Sequence, residues 1–218
     1  MSAISVAGDT SGSVTLQAPA VAGSTVLTLP ATSGTVLTSA SSGTQGTSMV
    51  LIGSATASAS ASIDFTNISN TSYSAYRMII INMIPTTNAA NLLLRFSNGG
   101  TFATTSYTWQ NWRWTTAGSG VAGQGATATG IALNAAGADN MANTATHGGS
   151  WVIDIYDCAQ TTAYHRVNYQ GNYLGSAQLG VVGNGISPST TAIDGFRLLM
   201  DSGTIASGTV YLYGVKNA

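Results

Sequence analysis

From residue 49 onward the chain alternates apolar and polar residues with a period of two. Ile63 and Phe65 alternate with Ser62, Asp64 and Thr66. Leu92, Leu94 and Phe96 share one face, opposite Asn91, Arg95 and Ser97. Trp151, Ile153 and Ile155 alternate with Val152, Asp154 and Tyr156. Phe196, Leu198 and Met200 alternate in the same way, as do Val210 and Leu212 against Tyr211, Tyr213 and Val215. Such runs are half-buried strands. Met49 to Ile52, Tyr107 to Trp114, Tyr164 to Tyr169 and Gln178 to Val182 add further strands. Tyr76 to Ile84 is apolar at both phases of the alternation and predicts a central strand with both faces covered. Asn98-Gly99-Gly100 predicts a tight turn. About eleven strands with no amphipathic helix predict an all-β chain folded as a two-sheet sandwich, for which a jelly roll is the natural form. Residues 115 to 149 break the rhythm. They are small, polar and glycine-rich, with Ile131, Leu133 and Met141 as the anchors. They read as a long loop: a functional excursion, a segment packed on another subunit, or an ordered loop with one short strand near Ile131.

The N-terminal part has a different texture. Val14-Thr15-Leu16, Val26-Leu27-Thr28-Leu29 and Val36-Leu37-Thr38 are short β-type runs separated by Ala, Pro, Gly, Ser and Thr. None contains an aromatic residue. A segment this small cannot bury enough surface to stand alone, so its apolar edges call for copies of itself from other chains. Residues 1 to 12 read as an extended lead-in, and Ser39 to Ser48 as a Ser/Thr/Gly linker. The expected division is residues 1–45, an extended, intertwined β segment with its linker, and residues 46–218, a jelly-roll-like β-sandwich.

Composition sharpens this reading. Hydrophobic residues make up 44% of the chain, enough for a core, while charged residues make up only 6%, against about 25% in ordinary globular proteins. There is no Glu, and Lys216 is the one lysine. Few solvent-facing helices can be built from such a set. A free monomer this poor in charge has little colloidal protection, whereas a subunit locked into an assembly needs less. The net charge of −1 offers no basic stripe for nucleic acid. No basic amphipathic helix or long apolar run points to membrane insertion. The first residues lack the basic and apolar regions of a signal peptide. Synthesis in a cytoplasm is therefore expected.

Catalytic and cofactor motifs are sparse. Asp154 and Asp157 are three apart on a strand and point to opposite faces, so no close carboxylate pair is expected there. Asp194 and Asp201 flank a strand and read as turn caps. His147 and His165 lack metal-ligand spacing, and no GxSxG elbow is present. Gly118 to Gly123 fits GxGxxG but opens no helix, so it is a chance match. The Asn67 and Asn70 sequons mark a turn. Cys158, the single cysteine, reads as a buried, inert thiol. No catalytic residue, metal site or cofactor is expected, and the chain is read as a non-enzyme. The binding candidate is the aromatic run Tyr107, Trp109, Asn111, Trp112, Arg113 and Trp114. Trp112 and Trp114 share one strand face; Tyr107 and Trp109 share the other. Exposed indoles and phenols beside Asn and Arg stack on sugar rings and bond their hydroxyls. The other reading gives one face to the core and the other to a contact between subunits.

Gly12 to Pro19, Leu27-Thr28-Leu29-Pro30 and Gly34-Thr35-Val36-Leu37 resemble the N-terminal segment of tailed-bacteriophage virion proteins, chiefly tail-fibre and appendage proteins and some capsid-attached fibres. Ser62 to Thr66, Tyr73 to Tyr76, Leu92 to Gly100 and Ser207 to Val215 resemble the distal β-rich domain of the same proteins. The resemblance implies a virion surface component, a homotrimer assembled in the host cytoplasm. Residues 1–45 would join it to other virion proteins of the tail, baseplate or capsid, and the distal domain would contact the host surface, including its glycans. A tail-fibre component is the first expectation and a capsid decoration or head fibre the second. A polysaccharide-depolymerising tailspike, the enzymatic alternative, would carry a longer β-helical body and clustered acids.

Overall fold

The structure is a computed structural model and describes residues 3–7, 11–17, 49–68 and 72–216. The chain divides into two compact units, Met1–Gln45 and Gly46–Ala218. In the first, β1 (Ala3–Ala7) pairs antiparallel with β2 (Ser13–Gln17). Residues expected to be a lead-in are thus the first arm of a hairpin. Ile4 and Val6 stand 67% and 61% exposed on it. The runs at Val26 and Val36 and the linker before Met49 lie outside the described residues.

The second unit is a β-sandwich, and every described strand pairing in it is antiparallel. Its strands are β3 (Met49–Ser60), β4 (Ile63–Thr66), β5 (Tyr73–Pro85), β6 (Leu92–Asn98), β7 (Thr101–Phe102), β8 (Tyr107–Thr115), β9 (Gly120–Ala128), β10 (Ile131–Ala132), β11 (Gly149–Tyr156), β12 (Arg166–Leu174), β13 (Gln178–Ile186), β14 (Gly195–Met200) and β15 (Ile205–Lys216). The large sheet has the order β3-β15-β5-β11-β12-β13-β8-β9. The small sheet has the order β10-β6-β14-β4, with β7 paired to β6. The Asn98-Gly99-Gly100 turn joins β6 to β7, with φ of 62° and 78° at the two glycines, the left-handed pair that a tight hairpin requires.

Period-two alternation decides which face is buried. Trp151, Ile153 and Ile155 of β11, Phe196, Leu198 and Met200 of β14, and Val210 and Leu212 of β15 all point into one core. The two sheets are pinned by an aromatic column. Tyr76 of β5 meets Phe196 of β14 edge-on at 5.4 Å, Phe196 meets Phe96 of β6 at 5.7 Å, and Phe96 meets Tyr107 of β8 at 6.1 Å. Each such pair is worth about 0.5–1.5 kcal/mol beyond the burial of its area. The Phe96 backbone N–H also donates to the Tyr107 hydroxyl at 2.7 Å, a hydrogen bond between the sheets.

Two expectations need correction. β5 is central, between β15 and β11, but only one of its faces is covered. Ile81 and Asn82 are both exposed in succession, Asn82 has φ 51°, and the register to β11 slips there. This is a bulge, and a two-layer sandwich leaves the other side of a central strand open. The supposed loop 115–149 contains the nine-residue strand β9. Its small residues hid it, because the bulk over it comes from β8: the Trp109 indole fills the space a side chain at Gly125 would need, and the Trp112 indole does so at Gly120.

Candidate functional site

The strand β8 carries the whole aromatic run, and the two-sheet arrangement splits it. Tyr107, Trp109, Asn111 and Arg113 point into the sandwich and are buried. Asn111 Nδ2 donates to the Ala132 carbonyl and to the Tyr169 hydroxyl, both at 3.3 Å, while the Tyr169 hydroxyl donates to Ala132 O at 2.8 Å. Arg113 Nη1 donates to Asp139 O at 2.6 Å. Tyr173 donates to Asn134 O at 3.1 Å, and Asn134 Oδ1 accepts from the Leu92 N–H at 2.7 Å. Asn111 and Arg113 therefore hold the 131–139 segment against the core, while Tyr107 and Trp109 fill the core itself. None offers a surface to a ligand.

Trp112 and Trp114 face the other way, 50% and 44% exposed. Their indoles rest on glycines, Trp112 against Gly120 and Trp114 against Gly180, where an added Cβ would collide with the rings. The glycines let the rings lie against the sheet, which fixes them while half of each stays in water.

The rest of this face is set by strand register. Gln124 of β9, Gln110 of β8, Asn184 of β13 and Asn168 of β12 are successive cross-strand partners, so they form one row. The row continues into Asp154 of β11 and Arg77 of β5. Arg77 forks onto Asp154, Nε to Oδ1 at 2.6 Å and Nη2 to Oδ2 at 2.9 Å, so the pair adds no net charge. The neighbouring row runs Ala122, Trp112, Val182, Gln170, Val152 and Ile79. A trough of about 910 Å³ lies over both rows, and a second, of about 590 Å³, adjoins it beside Trp114 and Ile81.

The carboxamides of Gln110, Gln124, Asn168, Gln170 and Asn184 make no hydrogen bond among the described residues. Those of Asn91, Asn134, Asn140 and Asn143 each donate one, and those of Asn98 and Asn111 donate two. Sequence reasoning missed the five amides because residues 110 to 184 become neighbours only through pairing. The available signal was their position on the polar phase of each strand.

Most of the other candidate chemistry is engaged in structure, while the buried Nδ1 of His147 has no hydrogen-bond partner among the described residues. Asp64 is forked by Arg197 at 2.8 and 2.6 Å, a partner that holds its carboxyl below the usual 3.8. Asp139 binds the Ser176 N–H and hydroxyl at 2.7 and 2.9 Å. Asp194 accepts from the Gly100 N–H and Asp201 from the Asn91 N–H, both at 2.8 Å, as turn caps should. Asp157 lies 3.7 Å from Arg166. His165 is buried with Nδ1 2.7 Å from Asp157 O and Nε2 2.8 Å from Thr191 O, tying two connections together. Cys158 is buried, and burial pushes its thiol up to about 12. Among the described residues no three of His, Cys, Asp or Glu come together as a metal site would need. No protein-family model matches the chain, and no curated protein matches it.

Proposed function

We propose that the protein is a structural virion subunit of a tailed phage, a trimeric tail-fibre component whose outer unit contacts the host surface without chemistry of its own. The observation that carries the reading is the pair Trp112 and Trp114, seated on Gly120 and Gly180 and half in water. Large rings held in place on an open sheet face are contact surface, since the core gains little from them. The resemblance of the N-terminal runs and of the distal strands to phage appendage proteins supports reading that surface as part of a virion. Exposed Ile4 and Val6 on a two-stranded hairpin, too little by itself to be stable, support assembly with further chains through residues 1–45.

The outer unit is read as a jelly roll widened on one side. Its support is strand order: β3-β15-β5-β11 in one sheet and β4-β14-β6-β10 in the other, two interlocked Greek keys. In this reading β12, β13, β8 and β9 are the widening, and they carry the amide row and both exposed tryptophans.

Electron micrographs of phage particles labelled with antibody to this chain test the assignment. Label on the tail is the expected result. Label on the shell makes the chain a head fibre or decoration protein instead, and particles without label sink the virion reading.

A further inference from the structure

We propose that the outer face of the large sheet binds a neutral, extended oligosaccharide laid across β9, β8, β13 and β12, about four sugar units long; this deepens the host-contact reading and rests on it. Gln124, Gln110, Asn184 and Asn168 are in register on these strands. Neighbouring strands lie about 4.8 Å apart, close to the repeat of an extended pyranose chain, so each sugar in turn meets one carboxamide. A carboxamide both donates and accepts, as does a pair of sugar hydroxyls. All four amides are exposed and have no partner among the described residues, so a ligand meets them unoccupied. Trp112, one row away and next to Gln110 on the exposed face of β8, supplies an indole for the apolar face of a sugar ring. Gln170, in the row of Trp112, adds a fifth amide beside the same track.

Charge selects among glycans. Arg77, at the end of the row, is already held by Asp154 in a two-pronged ion pair. An acidic glycan therefore finds no free cation along the row, and a basic ligand no free carboxylate. A second copy of this chain is a poorer occupant, because pressing two such faces together strips water from ten amides whose partners must then all be matched.

The test is a glycan array of neutral and anionic chains, two to eight units long, probed with the full-length protein. Retention on neutral extended chains, rising up to about four units and flat beyond, is expected. Trp112→Ala should weaken that binding about tenfold or more. Asn184→Ala and Gln110→Ala should each weaken it several-fold, with melting temperatures unchanged. Retention on anionic chains alone, on no chain, or equally by the amide variants overturns the proposal. So does sedimentation showing that the wild type self-associates through this face and Trp112→Ala does not. Attachment of the protein to host cells is measured separately. Attachment with a blank array overturns the glycan and leaves host contact standing; a positive array without attachment does the reverse.

Discussion

Two tryptophans three residues apart carry opposite duties. Trp109 is buried over Gly125, and Trp112 lies half in solvent over Gly120. Removing Trp109 opens a void in the core, so Trp109→Ala should cost about 3–5 kcal/mol in urea unfolding. Trp112→Ala, which empties no core space, should cost under about 1 kcal/mol. Equal losses would mean that the outer face is covered in the native protein. Burial also sets the response to alkali. The Cys158 thiol, ordinarily near 9.0, and the Tyr107 phenol, ordinarily near 10.0, are each pushed up to about 12 by desolvation. The unfolded chain releases these protons first. Stability is therefore whole below pH about 9 and falls as pH rises towards about 12. A melting temperature measured from pH 7 to 11 should decline only over the upper half of that range. In step with it, Cys158 should resist a thiol reagent until the protein unfolds.

Strands at the sheet edges depend on other forces than the central ones. β4 is the outer strand of the small sheet, and its link to β14 includes the Asp64–Arg197 fork, with Arg197 also 4.1 Å over the Phe102 ring. The Asp64 carboxyl is held low by that arginine hydrogen bond. A lowered carboxylate stabilises the fold above the unfolded value, and that contribution is lost as pH falls through the folded one. Because the pair is partly exposed, Asp64→Asn should cost only about 1 kcal/mol or less at pH 7. The difference from wild type should shrink as pH falls below 3.8, which chemical unfolding across that range checks. On the inner side, Gly183 of β13 leaves room for the Tyr169 ring and the Asn111 side chain. Gly183→Ala must displace both and should cost about 1–3 kcal/mol. No stability change there would mean that the Asn111–Tyr169 link does not hold the 131–139 segment.

At the scale of the molecule, the two units have unequal means of support. The sandwich has a continuous core drawn from both sheets. The hairpin β1–β2 exposes Ile4 and Val6. A chain beginning at Ser48 should therefore fold to a β-rich monomer, while the full chain should scatter light as a trimer. A stable full-length monomer at micromolar concentration would remove the case for assembly through residues 1–45. An unfolded product from Ser48 would show that the sandwich needs the N-terminal unit.

The sequence by itself determined the class of fold and the inward face of most strands. Alternation at Leu92, Leu94 and Phe96, or at Trp151, Ile153 and Ile155, is a local consequence of the pleat, and local patterns survive in one dimension. It also separated Trp112 and Trp114 from Tyr107 and Trp109, because odd and even positions of one strand cannot share a face. What it could not supply was which face met water, since both are aromatic, or that β9 was a strand, since its bulk is lent by tryptophans on β8. The amide row is the extreme case. Gln110, Gln124, Asn168 and Asn184 are unremarkable singly and become a surface only when three registers align them. Pairing between strands is non-local, and one residue of slip would turn every one of those amides inward, so only the tertiary structure decided that the row exists.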